Sequence, residues 1–291
     1  MKIIKKTIGF LLAAAMLLSL AACGSFETRM AGAINKMQKL DSLHMDVDME
    51  IGMTMSMPFL NVDSDLSISM KGGVDTVKEP AVTKMDLTVS AADLKIPVLY
   101  YIEKDGESYI IYISTDGGKS WDKETATLDE LPAQAQTGNT LEQIGFFLQC
   151  AKTFGEAGTE TVNGSEARRY DGVIEGEYVQ QAVEMSGILD TLAESMELDL
   201  GNVDLSASGS IPASIWIDNK SGMIVRYDMD LTSVMNGVMS MMLEQMLASY
   251  GLETAGDFGV SIKLTSAVIS VTLSEFNSVG EIVIPDAAKA A

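Results

Sequence analysis

The chain has 291 residues and a formal net charge of −21, with 20 Lys and Arg against 41 Asp and Glu. So acidic a protein repels phosphate, which argues against nucleic acid as a partner. One His and two Cys cannot supply a structural zinc site or a His/Cys two-metal centre, so we expect no metal and no cofactor.

The first 22 residues are typical of a signal peptide. Three lysines precede an apolar run over Ile8–Leu20, which is too short to span a bilayer comfortably. The run ends in Leu-Ala-Ala-Cys-Gly at positions 20–24, which resembles the lipobox of bacterial lipoproteins. That resemblance implies cleavage before Cys23 and lipidation of its thiol by acyl chains such as palmitate. The alternative is an ordinary signal peptide whose cleavage site happens to precede a Cys.

Lipidation would decide where the protein resides. Two or more acyl chains hold a protein stably on a bilayer. We therefore expect residues 23–291 to be extracytoplasmic, anchored to the outer leaflet of the cell membrane by Cys23. Cys150 would then have no partner within the chain for a disulfide.

A helix is predicted directly after this anchor, and a long strand follows the helix. Apolar residues recur at helical spacing from Phe26 to Leu40, with Ser25 as the expected N-cap. From Leu43 to Met57 the odd positions are apolar and the even positions are mainly polar. This alternation predicts a strand with one apolar and one solvated face.

Shorter alternating segments and turn signals predict further antiparallel strands, about ten or eleven in all. Leu60–Met70 and Met85–Val89 repeat the alternation of the first strand. A change of phase near Thr265–Ser266 in the last strand predicts a bulge or a turn. Three segments carry hairpin signals, namely Lys104–Glu107, Asn163–Gly164 and Asp218–Gly222.

Three helices are predicted to interrupt the strands. Helical spacing of apolar residues marks Leu141–Phe154, Glu177–Leu198 and the Met-rich Val234–Tyr250. Because the sequence has no internal repeat, we expect residues 23–291 to form a single domain. Strands with one apolar face need a cover, and these helices are the candidates for it.

The layout resembles the LolA/LolB and LppX/LprG-like lipoprotein superfamily. The likeness lies in the order of elements and in short phrases, at Met37–Met45, Ile215–Asp218, Glu275–Ser278 and Ile282–Pro285. The resemblance implies an α+β fold with an open, strongly curved antiparallel sheet, a half-barrel whose concave face is covered by helices. In characterised relatives that cavity binds acyl chains or lipidated proteins.

Methionine is the residue type that best indicates a ligand cavity. Met is unbranched and polarisable, so it can line a pocket for varied apolar shapes, although ordinary core filling is the alternative. The candidate cavity residues lie on predicted apolar strand faces or on the last helix: Met45, Met49, Met53, Met55, Met85, Leu87, Met239, Met242 and Met246.

Other reactive residues have simpler interpretations than catalysis. His44, Asp46 and Asp48 share the polar face of the first strand, which favours a solvated face over a metal site. Cys150 stands among phenylalanines as a buried thiol, and Arg168–Arg169 is expected to form local salt bridges. No nucleophile or phosphate-binding motif occurs in the sequence, so we expect no enzymatic activity.

The sequence therefore predicts a membrane-anchored, extracytoplasmic lipoprotein that binds a lipid or another hydrophobic molecule in a helix-lidded cavity. The alternative is a non-enzymatic interaction or structural lipoprotein of the cell envelope whose core is filled by its own side chains. A hydrolase is a third hypothesis and would need a nucleophile beside His44.

Overall fold

The computed structural model describes residues 25–57, 62–128, 131, 150, 153–186, 209–249 and 261–291. Eleven strands in these residues form one antiparallel sheet. The strands are β1 Ser42–Met57, β2 Val62–Val77, β3 Val82–Ala91, β4 Leu94–Asp105, β5 Ser108–Ser114, β6 Asp122–Ala126, β7 Gly155–Val162, β8 Ser165–Ile174, β9 Ile211–Asp218, β10 Ile224–Asp230 and β11 Ser261–Ser274.

The sheet is open and curved. Its spatial order is β6-β5-β4-β3-β2-β1-β11-β10-β9-β8-β7, so β6 and β7 form the two edges. The described helices are α1 Phe26–Met37, α2 Glu177–Ser186, α3 Thr232–Ser249 and α4 Asp286–Lys289. The predicted α+β half-barrel fold class is confirmed.

The long hairpin β1–β2 follows from the alternation in its sequence. Its register runs without a shift from Ser42 opposite Val77 to Met57 opposite Val62. The odd positions of β1 therefore lie on one face of the sheet, which we call the inner face, and the even positions lie on the outer face. The register on the other side of β1 shifts between Gly52 and Met53, so the phase change predicted in β11 is a bulge.

Helices α1, α2 and α3 pack on the inner face of β8–β11 and on the beginning of β1. They form one core with residues such as Tyr170, Ile215 and Val271 of the sheet. The helix residues that are buried in this core are Phe26, Met30, Ala33, Met37, Val179, Val234, Val238 and Met242.

The start of α3 makes hydrogen bonds to β11 where a neighbouring strand would otherwise make them. The pairing of β10 with β11 ends at Asp230 opposite Val268. Beyond that point Leu231 donates its N–H to the carbonyl of Ala267 over 2.8 Å, and the Thr232 hydroxyl accepts from the N–H of Ala267 over 2.8 Å. The first turn of α3 thereby satisfies backbone groups that β10 leaves unpaired.

Asn236 extends this attachment by one more turn. Its side-chain amide donates to the carbonyl of Leu264 and its side-chain oxygen accepts from the N–H of Leu264, both over 2.8 Å. The amide thus pairs with Leu264 as a neighbouring strand residue would. These bonds fix the first half of α3 against the bulged end of β11.

The outer face has smaller apolar clusters. Tyr101 and Tyr112 pack under Ile284 and Ala288 of the C-terminal segment. On the other half of the sheet, Trp216 packs with neighbours that include Phe276. The C-terminal segment therefore covers part of the outer face, which the alternation of the strands alone does not predict.

The helix predictions are confirmed where the structure describes them. Helix α1 matches its prediction, although Ser25 makes no side-chain cap to the backbone. Helix α3 begins at Thr232, and α2 is described as far as Ser186. Most of the helix predicted at 141–154, and the second half of that predicted at 177–198, lie outside the described residues.

Candidate functional site

The described helices cover only one half of the inner face. Residues of the other half, on the second part of β1 and on β2, β3 and β4, are apolar yet incompletely buried. We call them the apolar strip: Met49, Ile51, Met53, Met55, Leu66, Ile68, Met70, Leu87, Val89, Leu94, Ile96 and Val98. None of them belongs to a core cluster of the described residues.

Strand register places the members of the apolar strip side by side. Met49 lies opposite Met70, and Met70 lies opposite Val89. Exposure increases towards the β1–β2 and β3–β4 turns, where 37% of Leu66 and 59% of Leu94 are exposed. Burial of apolar surface is favourable by about 25 cal/mol per Å². A continuous accessible apolar surface of this kind can therefore hold an apolar molecule without specific polar contacts.

The nine predicted cavity residues occupy different surroundings. Met45, Met239 and Met242 pack in the main core, and Met85 packs in a smaller cluster on β4 and β5. The side chain of Met246 lies outside the described residues. The members that lie on the apolar strip are Met49, Met53, Met55 and Leu87. Their role in binding stays a prediction.

His44 lies on the outer face between two carboxylates. Its Nδ1 is 2.6 Å from Oδ1 of Asp75, and its Nε2 is 3.3 Å from Oδ1 of Asp46. Burial alone would lower the pKa of His44, but the hydrogen bonds to Asp75 and Asp46 outweigh it and raise the pKa. No group of three or more potential metal ligands occurs among the residues that the structure describes.

Sequence reasoning placed His44 with Asp46 and Asp48 but missed Asp75. Asp75 lies directly opposite His44 in the β1–β2 hairpin. The sequence could have indicated the contact between His44 and Asp75, because pairing the two alternating segments in register brings these residues together. Asp48 instead pairs with Lys71 over 3.0 Å on the solvated face.

A second outer-face cluster surrounds Trp216. Arg169 on β8 and Arg226 on β10 lie directly opposite Trp216 in the sheet. Their guanidinium carbons lie 5.2 and 4.8 Å from the centroid of the indole ring, within the range of a cation–π contact. Trp216 is only 2% exposed, and its indole N–H donates to Glu160 over 3.0 Å.

Carboxylates complete the charge balance of this cluster. Arg169 pairs with Asp171 over 2.6 Å and with Glu160 over 2.9 Å, and Arg226 pairs with Asp228 over 2.7 Å. Arg168, which lies on the inner face opposite Ile217, pairs with Glu156 over 3.1 Å. The predicted salt bridges of Arg168–Arg169 are therefore confirmed.

A depression of about 600 Å³ lies beside these ion pairs. It opens on the outer face and is lined by residues that include Asp171, Pro212, Ser214 and Val268. Ser214 donates to Asp171 over 2.7 Å, so this polar pair is satisfied within the protein. The depression is thus on the opposite face from the apolar strip.

Cys150 has the character of a buried core residue. The residue is 1% exposed within the main core. Burial raises the pKa of its thiol to about 11, which keeps the thiol protonated at neutral pH. A protonated, inaccessible thiol is neither a nucleophile nor a metal ligand.

Comparisons with known proteins add the following. A family of unknown function (DUF6612) matches residues 26–159. No curated protein matches the chain in sequence. Within the described residues, no helix has both the length and the apolar character needed to cross a bilayer.

Two lipoprotein-fold structures are similar to this chain. Lipoprotein LppX of Mycobacterium tuberculosis is 16% identical, with a TM-score of 0.44, and the match covers 89% of this chain and 98% of LppX. LprF of Mycobacterium bovis is 12% identical, with a TM-score of 0.41, and the match covers 91% of this chain and 100% of LprF. Both are LppX/LprG-fold members, as the sequence resemblance predicted. At this level of similarity the comparison gives no residue a function.

Proposed function

We propose that this chain is a lipoprotein anchored by lipidated Cys23 to the outer leaflet of the cell membrane, and that residues 23–291 bind a lipid or another hydrophobic molecule. The observation that carries the binding proposal is the apolar strip. Twelve neighbouring apolar side chains on four strands remain partly accessible, whereas the helices of the described residues bury the other half of the same face.

The size of the hydrophobic effect makes such binding feasible. Each methylene group removed from water contributes about 0.8 kcal/mol. An acyl chain that buries about ten methylenes would gain about 8 kcal/mol, before the costs of association are subtracted. Affinities in the micromolar range or weaker are therefore expected for a simple fatty acid.

Adjacent residues on β3 offer a matched test. Leu87 points to the inner face and belongs to the apolar strip, whereas Thr88 points to the outer face and is exposed. Leu87→Asp should weaken binding of a fluorescent fatty acid by at least about tenfold, because a carboxylate would have to be desolvated under the ligand. Thr88→Asp adds the same charge to the same strand and should leave the affinity unchanged.

Titrations of the two variants should be accompanied by thermal unfolding. A variant that keeps the melting temperature and loses the ligand supports binding at the apolar strip. Equal affinities for the two variants, or no uptake by the unaltered chain, would contradict the proposal. The interaction or structural lipoprotein with a filled core would then be the better hypothesis.

Anchoring has its own test. Cells expressing the full chain are grown with radiolabelled palmitate, with Cys23→Ala as the control. We expect label on the unaltered chain in the membrane fraction and none on the variant. Label that persists in Cys23→Ala, or a chain that never takes up label, would contradict anchoring at Cys23.

A further inference from the structure

Four of the twelve members of the apolar strip are methionines. Met49, Met53 and Met55 lie on β1 and Met70 lies on β2, and all four are partly exposed. We call these four residues the strip methionines. The other members of the strip are Leu, Ile or Val and carry no sulfur. The strip therefore offers oxidisable atoms at four points of its surface.

Strand pairing places the strip methionines on one accessible surface. Met49 lies directly opposite Met70 in the β1–β2 hairpin. Met53 lies opposite Leu66, of which 37% is exposed, and Met55 follows two residues later on the same face. The four thioethers are thus spread along the half of the inner face that the described helices leave uncovered.

Methionines of the main core are shielded by contrast. Met30 is 0% exposed, Met37 7% and Met242 3%. All three belong to the core that α1 and α3 form with the sheet. An oxidant reaches such a side chain only when the packing opens, whereas it reaches a strip methionine in the folded chain. The fold therefore exposes the strip methionines to oxidants and protects these core methionines.

Oxidation changes the chemistry of the strip. The sulfur of Met donates an electron pair to one oxygen of hydrogen peroxide, so that an S–O bond forms and the O–O bond breaks. The departing hydroxide takes the proton of the transferred oxygen, and the products are methionine sulfoxide and water. The sulfoxide is polar where the thioether was apolar. An apolar ligand that covered it would remove it from water without supplying a hydrogen bond, which is unfavourable.

We propose that the strip methionines are oxidation sites at which a peroxide switches off the binding of hydrophobic molecules. This inference rests on the proposed function, both for the ligand at the strip and for the extracytoplasmic location, where conditions are oxidising. Ligand and oxidant compete in this arrangement, because a bound acyl chain covers the sulfurs and an oxidised sulfur disfavours the acyl chain. Methionine sulfoxide reductases restore the thioether, so the switch is reversible.

Limited oxidation of the full chain by hydrogen peroxide tests the proposal. Peptide mass spectrometry should find the strip methionines oxidised at least about tenfold faster than the three core methionines. A saturated fatty acid, added at several times its dissociation constant, should slow oxidation of the strip methionines by about fivefold. Met223 is the matched control, because it lies in the turn between β9 and β10 and is also partly exposed. The fatty acid should leave its oxidation rate unchanged.

Affinity after oxidation is the second readout. Oxidation of the strip methionines should weaken binding of a fluorescent fatty acid by about tenfold, and treatment with methionine sulfoxide reductases should restore it. The control variant combines Met49→Leu, Met53→Leu, Met55→Leu and Met70→Leu. The same dose of peroxide should leave its affinity unchanged, because Leu has a similar volume and no sulfur. The protection experiment needs no variant, so it decides the matter even if this one does not fold.

The other outcomes would overturn the proposal. Unchanged affinity after oxidation of the strip methionines would mean that their sulfoxides do not affect binding. An equal loss of affinity in the leucine variant would place the sensitive residues elsewhere. Equal protection of Met223 would mean that the fatty acid does not cover the strip. Failure of the proposed function is distinguishable, because the chain would then take up no fatty acid before any oxidation.

Discussion

The attachment of α3 to the sheet makes a quantitative prediction. Asn236→Ala removes the two 2.8 Å hydrogen bonds to Leu264 and a third, of 3.0 Å, to the carbonyl of Thr232. It leaves the N–H and the carbonyl of Leu264, a residue that is only 4% exposed, without these partners. An unsatisfied buried group costs about 1–3 kcal/mol. With partial access of water, we expect a loss of about 2–3 kcal/mol in the free energy of unfolding.

Thermal denaturation followed by circular dichroism measures this loss. In a protein of this size, 1 kcal/mol corresponds to about 2–4 °C, so the melting temperature should fall by about 5–10 °C. Asn236→Asp should be intermediate, because it can accept from Leu264 but cannot donate. Ser240→Ala, one turn later on the exposed side of α3, serves as the control and should be neutral. A melting temperature for Asn236→Ala within 1 °C of the unaltered chain would refute the role given to this amide.

Three further predictions concern single residues. Gly72→Ala should lower the free energy of unfolding by at least about 3 kcal/mol in urea titrations, because its Cβ would lie 2.0 Å from a carbonyl oxygen of β3. Gly280→Ala is the control and should be neutral, because the space around its Cβ is open. The raised pKa of His44 means that the stability it contributes is fully present below its ordinary pKa of 6.5 and is lost as pH rises through the higher folded value. The unfolding free energies of the unaltered chain and of His44→Gln should therefore converge as the pH rises above 6.5, and a constant difference would contradict this. Cys150 should react with Ellman's reagent at pH 8 only after the chain unfolds, because burial raises the pKa of its thiol to about 11. Fast reaction of Cys150 in the folded protein would contradict its burial in the main core.

Alternation and turn signals were sufficient to predict much of the sheet. The period of two in β1 defined its inner and outer faces, and the phase change at Thr265–Ser266 marked the bulge. The hairpins at Asn163–Gly164 and Asp218–Gly222 join β7 to β8 and β9 to β10, as predicted. These features are local, because each depends on a few neighbouring residues and on backbone conformations that the sequence specifies.

The division of the inner face could not be predicted in the same way. Which apolar residues are buried depends on where the helices dock, and α3 is positioned by Asn236 bonding to backbone atoms of Leu264. Such a bond leaves no periodic pattern in the sequence. The contact of Phe26 in α1 with Tyr170 in β8 likewise joins segments that are far apart in the chain. Methionine content therefore predicted an apolar surface on the sheet, but it did not predict which residues that surface contains.

Photolabelling locates a bound ligand on the sheet most directly. A fatty acid that carries a diazirine is irradiated with the chain, and the modified residues are identified by peptide mass spectrometry. Binding at the apolar strip predicts label on inner-face residues of β1–β4, such as Met49, Met70 and Leu87, and its loss when unlabelled fatty acid competes. Label confined to the outer-face depression around Asp171 and Val268, or label that competitor does not displace, would contradict it.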